Sequence, residues 1–154
     1  MTEFFHYTKD PDLAIDVNRE YKTRRIKPSG FWVSVGDAWK EWCEEEEFHP
    51  ERLEHVYGVD IDMSGFLTVN DRETITALYE EFPDAGNDSP KVSIGTFVDW
   101  GAAASRYAGL LFSPYDKWLN DWRDLPIWWY GLDCASAVVF DLTAIKSLEK
   151  RETS

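Results

Sequence analysis

The run GFWVSVGDAWKEWC, from Gly30 to Cys43, sets a β-type stretch and a helix-type stretch two residues apart. Phe31 to Val35 (FWVSV) is aromatic and β-branched and is entered by the turn-forming Pro28-Ser29-Gly30, which predicts a strand. Beyond Gly36, Asp37 is a helix cap, and Trp39, Trp42 and Cys43 recur at i, i+3 and i+4. That spacing predicts a helix from Ala38 to about Glu47 with one aromatic edge. With Trp32, the junction holds three indoles. A protein that places so much flat aromatic surface at one strand-to-helix turn must either bury it there or use it.

The remaining segments extend the pattern. Glu3 to Tyr7 (EFFHY), Leu53 to Asp62 and Gly65 to Val69 read as strands. Asn70, with Glu73 three residues on, suggests a capping box, and Ile75, Leu78, Tyr79 and Phe82 then repeat with helical period. A further helix is expected from its cap Asp99 through Trp100, Ala103, Ala104 and Tyr107, with Gly109 as its stop. Leu110 to Phe112, Ile127 to Tyr130 and Ala137 to Leu142 are strand candidates, and Pro83 to Pro90 reads as a surface loop. Strands outnumber helices without alternating regularly with them, so the expected class is α+β with a mostly antiparallel or mixed sheet. The 154 residues suit one domain over 1–154.

Charge narrows the partners. A formal charge of −13 repels phosphate backbones and anionic lipid, which counts against direct nucleic-acid or membrane-surface binding. Between Glu41 and Asp62 nine acids face Arg52 alone, which reads as a solvated face or as a docking surface for a basic protein, such as one that itself binds nucleic acid. With 44% hydrophobic and 16% aromatic residues the protein has the material for a core despite that charge. Cys43 and Cys134 fit no disulfide framework, and His6, His49 and His55 have no paired ligand spacing, so no metal is expected. The N-terminal MTEFFHYTKD lacks the apolar core of a signal peptide and no run reaches transmembrane length, so a cytoplasmic location is expected.

Three segments carry candidate chemistry: His6-Tyr7-Thr8; Gly30-Phe31-Trp32-Val33-Ser34 with Trp42-Cys43; and Val138-Val139-Phe140-Asp141. In order and kind they resemble the series found in ADP-ribosyltransferases of the diphtheria-toxin and poly(ADP-ribose) polymerase type. Those enzymes have a His-Gly-Ser/Thr strand, then a Gly-Ile/Leu-Tyr-Phe-Ala/Ser strand leading to a helix with an aromatic-Cys pair, then a strand near Asn-Glu-Tyr-Ile-Val-Tyr-Asp. The resemblance implies a fold of split mixed or antiparallel sheets with a few flanking helices, and NAD as the bound dinucleotide. It implies that His6 hydrogen-bonds the adenosine-side ribose and that Trp32 and Trp42 sandwich nicotinamide, leaving Trp39 to the core or the pocket edge. Tyr7, Thr8, Gly30, Phe31 and Ser34 would complete the cofactor contacts. From the basic run Lys22 to Lys27, Arg24 or Arg25 would meet the pyrophosphate.

Two positions depart from that series. Tyr7 stands where the family has glycine, and Ser136 stands where the catalytic glutamate would be. Serine supplies no carboxylate, so the acid expected in its place is Asp133, three residues earlier. Asp141 lies beyond the site in register. The expected activity is NAD-dependent mono-ADP-ribosylation of a macromolecule, by a toxin, effector or phage-inhibitor type of protein. The alternative is a non-catalytic acidic inhibitor with a degenerate NAD pocket that blocks a basic nucleic-acid-binding partner. The related RNA 2'-phosphotransferase chemistry needs a strongly basic RNA site, which the charge of −13 disfavours.

Overall fold

Short runs of aromatic, β-branched and aliphatic residues supply most of the strands of the computed structural model, which describes residues 3–21, 27–47, 54–83, 97–115, 128–129 and 132–151. The strands are β1 Phe4–Thr8, β2 Phe31–Val35, β3 His55–Ile61, β4 Phe66–Thr68, β5 Gly109–Phe112, β6 Ser136–Val139 and β7 Ile145–Arg151. They form one seven-stranded sheet in the order β4-β5-β6-β2-β1-β3-β7. Only the β4–β5 pair is parallel. With helices α1 Ala38–Glu46, α2 Arg72–Glu81 and α3 Trp100–Arg106, the class is α+β with a mixed sheet, as the pattern of elements predicts.

The family resemblance implies split sheets, but the strands form one continuous sheet, and the pairing is shortest between β1 and β2. β1 pairs with β3 over five positions but with β2 over only two, Phe4↔Val35 and Phe5↔Ser34. Beyond Phe5 the two strands part, leaving a β4-β5-β6-β2 wing and a β1-β3-β7 wing.

Alternation along the strands feeds two cores. On one face Val138, Leu110 and Phe112 pack with Ile75 and Leu78 of α2, Trp100 of α3, and Trp128, Trp129 and Leu132. On the other, Phe4, Phe31, Val33, Val59, Ala137 and Val139 are covered by Leu13, Ile15 and Tyr21 of the segment after β1. That segment is pinned by Tyr57, whose hydroxyl accepts from the Leu13 N–H and donates to the Asp10 carbonyl, both at 3.0 Å.

Several local expectations shift. The capping box of α2 falls one residue later than expected: Asp71 accepts from the Thr74 N–H at 2.8 Å and Thr74 Oγ1 accepts from the Asp71 N–H at 3.0 Å. Asn70 is drawn away by Ser113, whose carbonyl accepts from the Asn70 carboxamide. Asp99 caps α3 as expected, accepting from Ala102 N–H. Gly109, however, does not stop that helix. α3 ends at Arg106, and Gly109 is already in β5, where a Cβ would overlap the Phe66 ring and the Val138 carbonyl. Trp128 and Trp129 lie in a turn with both indoles buried, not in a strand, and Ile127 and Tyr130, the ends of that expected strand, lie outside the described residues. The loop expected up to Pro90 likewise lies outside them beyond Pro83. The expected strand to Leu142 stops at Val139, because Phe140 and Asp141 both turn their N–H groups to the Ala108 carbonyl. Asp141 then caps a 3-10 turn, Leu142–Ala144, that leads into β7.

The contact at Gly109 sets a stability test. Gly109→Ala should cost on the order of 1–3 kcal/mol in urea unfolding, because a backbone carbonyl and a core ring must both yield. Gly101→Ala in α3 has open space, with Asp99 Oδ1 at 3.5 Å as its nearest neighbour, and should be neutral or stabilising by about 0.5 kcal/mol. Equal effects at the two sites would contradict the packing described.

Candidate functional site

The parting of β1 and β2 opens a cavity of about 290 Å³. Its walls come from three stretches far apart in sequence: Phe5, His6 and Tyr7 of β1; Trp32, Val33 and Ser34 of β2; and Leu132, Asp133, Cys134 and Ser136 at the start of β6. Trp39 of α1 and Lys27, before β2, complete it.

The gap has a specific backbone consequence. Gly36 N–H donates to the Glu3 carbonyl at 2.8 Å, which fixes the hydrogen-bonding alternation of the β1–β2 ladder. By that alternation the next bonding pair after Phe5 and Ser34 is Tyr7 with Trp32, but the ladder has ended. The Trp32 carbonyl instead accepts the Nδ1–H of His6 at 2.7 Å. By the same alternation the backbone N–H and carbonyl of Tyr7 lie on the β2 side of β1, where no strand pairing among the described residues engages them.

His6 holds this opening in place. Its ring stacks on Phe31, 4.2 Å between centroids, and burial pushes its pKa below 6.5 while the bond to Trp32 pulls upward. The imidazole is therefore the neutral Nδ1–H tautomer, since only a protonated Nδ1 donates to a carbonyl.

A second hydroxyl fixes the other wall. Asp37 occupies the N-cap position of α1, but its carboxylate makes no capping bond. Ser34, buried at the end of β2, does that work: its Oγ accepts from Trp39 N–H and donates to the Gly36 carbonyl, both at 2.9 Å. Gly36 takes φ +57°, a left-handed value that glycine adopts without strain and that lets the strand turn straight into the helix. Trp39 thus stands at a fixed place beside the cavity, and Trp42 stacks on it at 5.1 Å and 15°.

Trp32 rests one face on Phe112, at 5.9 Å and 17°, and carries the Lys27 ammonium 4.6 Å from its ring centroid. At the rim, enclosure raises the pKa of the exposed Asp133 carboxyl, Lys27 draws it down, and Glu46 adds a smaller upward push. Burial, then Asp133 and Cys43, push the Cys134 thiol up to about 12, so it is protonated and no nucleophile at neutral pH. Burial first, and then the charge and hydrogen bond of Asp37, raise the Tyr7 phenol, which donates to Asp37 Oδ1 at 3.4 Å.

Of the residues singled out from sequence, the cavity gathers His6, Tyr7, Trp32, Ser34, Trp39, Asp133 and Ser136. Others have structural positions instead. Thr8 Oγ1 accepts from Asp10 N–H in the turn after β1, and Phe31 is buried beneath His6 in the core of the other face. Gly30 lies against the sheet, where a Cβ would come within 2.6 Å of the Val139 carbonyl. The two helix tryptophans exchange the expected roles: Trp39 lines the cavity and Trp42 backs it. Arg24 and Arg25 lie outside the described residues, as does His49. Lys27, Phe5, Leu132 and Cys134 also line the wall. Lys27 is visible in the sequence as the last member of the basic run, and Phe5 as a neighbour of His6, but nothing there distinguishes them from surface and core. Among the described residues no three His, Cys, Asp or Glu side groups converge as a metal site, and no helix is long and apolar enough to cross a membrane.

Comparison of the sequence and fold with protein-family models, with curated proteins and with solved structures returns no match.

Neutral His6 makes a pH test with a definite sign. Its folded-state pKa lies below the ordinary 6.5, so on acidification the unfolded state takes up a proton first and stability falls from 6.5 downward to the folded value. His6→Asn keeps an N–H donor close to the Nδ1 position and removes the titration. Chemical unfolding between about pH 7 and pH 5 should therefore show a shallower loss in His6→Asn than in the parent. Identical slopes would assign the titration elsewhere.

Proposed function

We propose that this protein is an NAD-dependent mono-ADP-ribosyltransferase acting on a macromolecular target. The observation that carries the reading is the convergence of three segments on one cavity: His6-Tyr7, Trp32 with Trp39, and Asp133 to Ser136. Each side of the cavity answers a feature of the dinucleotide. A nicotinamide carboxamide presents an amide donor and a carbonyl acceptor side by side, and Tyr7 offers the complementary backbone carbonyl and N–H. Trp32 and Trp39 provide flat faces for the pyridinium ring.

The chemistry asked of the protein is modest. Cleavage between nicotinamide and ribose sends the bond's electron pair to the ring nitrogen and leaves positive charge on the ribose. A carboxylate aimed at that charge lowers the barrier without moving. Asp133 is the one carboxylate of the cavity lining among the described residues. Ser136 contributes a hydroxyl and no charge, and His6 contributes position by keeping the two strands apart. The bond to the target forms at the ribose carbon as the target's nucleophile gives up its proton.

A second reading draws on α1, where Glu44, Glu45 and Glu46 are all exposed on the helix whose Trp39 lines the cavity. An acidic protein that blocks a basic nucleic-acid-binding partner would use this surface and would need no turnover.

Labelled NAD incubated with the protein and a lysate should label a macromolecule, and NAD should quench tryptophan fluorescence. Asp133→Asn should lower labelling by roughly two orders of magnitude with little change in NAD affinity. Because protonation removes the useful charge, the parent's rate should fall on acidification through a pKa above 3.8, a limb absent from Asp133→Asn. Trp39→Ala should weaken NAD binding more than Trp42→Ala. No heat and no thermal shift at millimolar NAD would overturn the transferase reading and leave the acidic binding protein.

A further inference from the structure

We propose that the Lys27 ammonium is an internal occupant of the cavity, a built-in competitor that a ligand's cationic ring must displace from the face of Trp32. The inference deepens the dinucleotide reading given above and rests on it for the identity of the natural ligand.

The geometry carries it. An indole has two faces, and Phe112 covers one of those of Trp32 at 5.9 Å, nearly parallel. Lys27 Nζ sits over the ring at 4.6 Å, so the ammonium lies where a second flat ring would stack. Trp39 and Asp133 line the same cavity, and Lys27 is near enough to Asp133 to offset part of the rise that enclosure gives its carboxyl pKa. An aromatic face with a carboxylate nearby is an environment made for a cation, and the protein supplies its own.

The position of Lys27 is not accidental to the path of the backbone. Pro28 is buried immediately after it, and Gly30 is pressed against the Val139 carbonyl, so the backbone enters β2 along a fixed line. The lysine stem reaches the indole from that anchored point, while the residue itself stays exposed to solvent.

The exchange matters for a reaction that changes the charge of the ring. A pyridinium replaces the ammonium like for like on Trp32 and beside Asp133, and two cations do not share the face. When the bond to ribose breaks, its electron pair stays on the ring nitrogen and nicotinamide becomes neutral. The displaced ammonium then outcompetes the neutral ring for the indole, so Lys27 both raises the threshold for binding and promotes release of the product.

The test uses the full-length protein and a probe without phosphate, 1-methylnicotinamidium, with neutral nicotinamide as its counterpart. Lys27→Met keeps an unbranched apolar stem and removes the charge; Lys27→Arg keeps the charge. Lys27→Met should bind 1-methylnicotinamidium roughly 2- to 30-fold tighter than the parent, the range a cation–π contact spans. The gain for nicotinamide should be smaller, because no like-charge repulsion is relieved, and Lys27→Arg should stay near the parent. Unchanged or weaker binding of 1-methylnicotinamidium by Lys27→Met, or no binding by either form, overturns the proposal. Tighter binding of the probe by Lys27→Met, with NAD ignored by both proteins, supports the internal cation while sinking the dinucleotide reading. NAD-dependent labelling combined with unchanged probe affinity does the reverse. Weaker NAD binding with unchanged probe affinity also overturns it, and makes Lys27 a phosphate contact.

Discussion

The bond from His6 Nδ1 to the Trp32 carbonyl, at 2.7 Å, is the contact on which the rest of the site depends. An antiparallel ladder normally closes on itself, because each step of pairing brings the next donor and acceptor together. Here an imidazole takes the carbonyl that a backbone N–H would have taken. The ladder stops after two pairs, yet neither strand is lost, since β1 is held by β3 over five positions and β2 by β6 over four. A polar group that burial would otherwise penalise is satisfied, and the two strands are left to part beyond Phe5.

Around that opening, each wall is set by a different physical device. Ser34 ties the end of β2 to the first turn of α1 through one hydroxyl. Gly36 supplies the one backbone conformation that lets the helix begin so soon. Leu132 is held by Tyr115, whose phenol donates to its carbonyl at 2.9 Å, and Tyr115 stacks on the buried Trp129. Asp133 therefore follows a residue anchored in the large aromatic core, although its own carboxyl is exposed. The site thus takes its geometry from the β1–β2 opening, from the start of α1 and from the aromatic core behind Leu132.

Much of the fold is legible in the sequence where local signals agree with packing. β1, β2, α1 and α3 lie within a residue of the expected limits, because aromatic and β-branched runs mark the strands, helical spacing marks both helices and Asp99 caps α3. At α1 the capping bond comes from Ser34 and not from Asp37. Local signals mislead where a distant residue decides. Gly109 looks like a helix stop but is needed for close approach to Val138 and Phe66, neighbours that only the fold supplies. Trp128 and Trp129 have strand-like composition, yet they fill the core from a turn. β7, IKSLEKR, is an edge strand with five exposed residues, so neither alternation nor β-propensity marks it. In the site, spacing along α1 does not tell Trp39 from Trp42, since which of two stacked indoles faces the cavity is set by the angle at which the helix leaves Gly36.

The unfinished ladder has one more consequence, for how the protein meets other polypeptides. A strand edge with unpaired backbone groups is ordinarily an invitation to foreign strands. At the outer edge of the sheet, β7 discourages such pairing with Lys146, Glu149, Lys150 and Arg151, all exposed. The edge at Tyr7 needs no charge to the same end, because it lies inside the sheet, flanked by β2. A foreign strand has no open side from which to pair there, so the fold protects this edge by position where it protects β7 by charge.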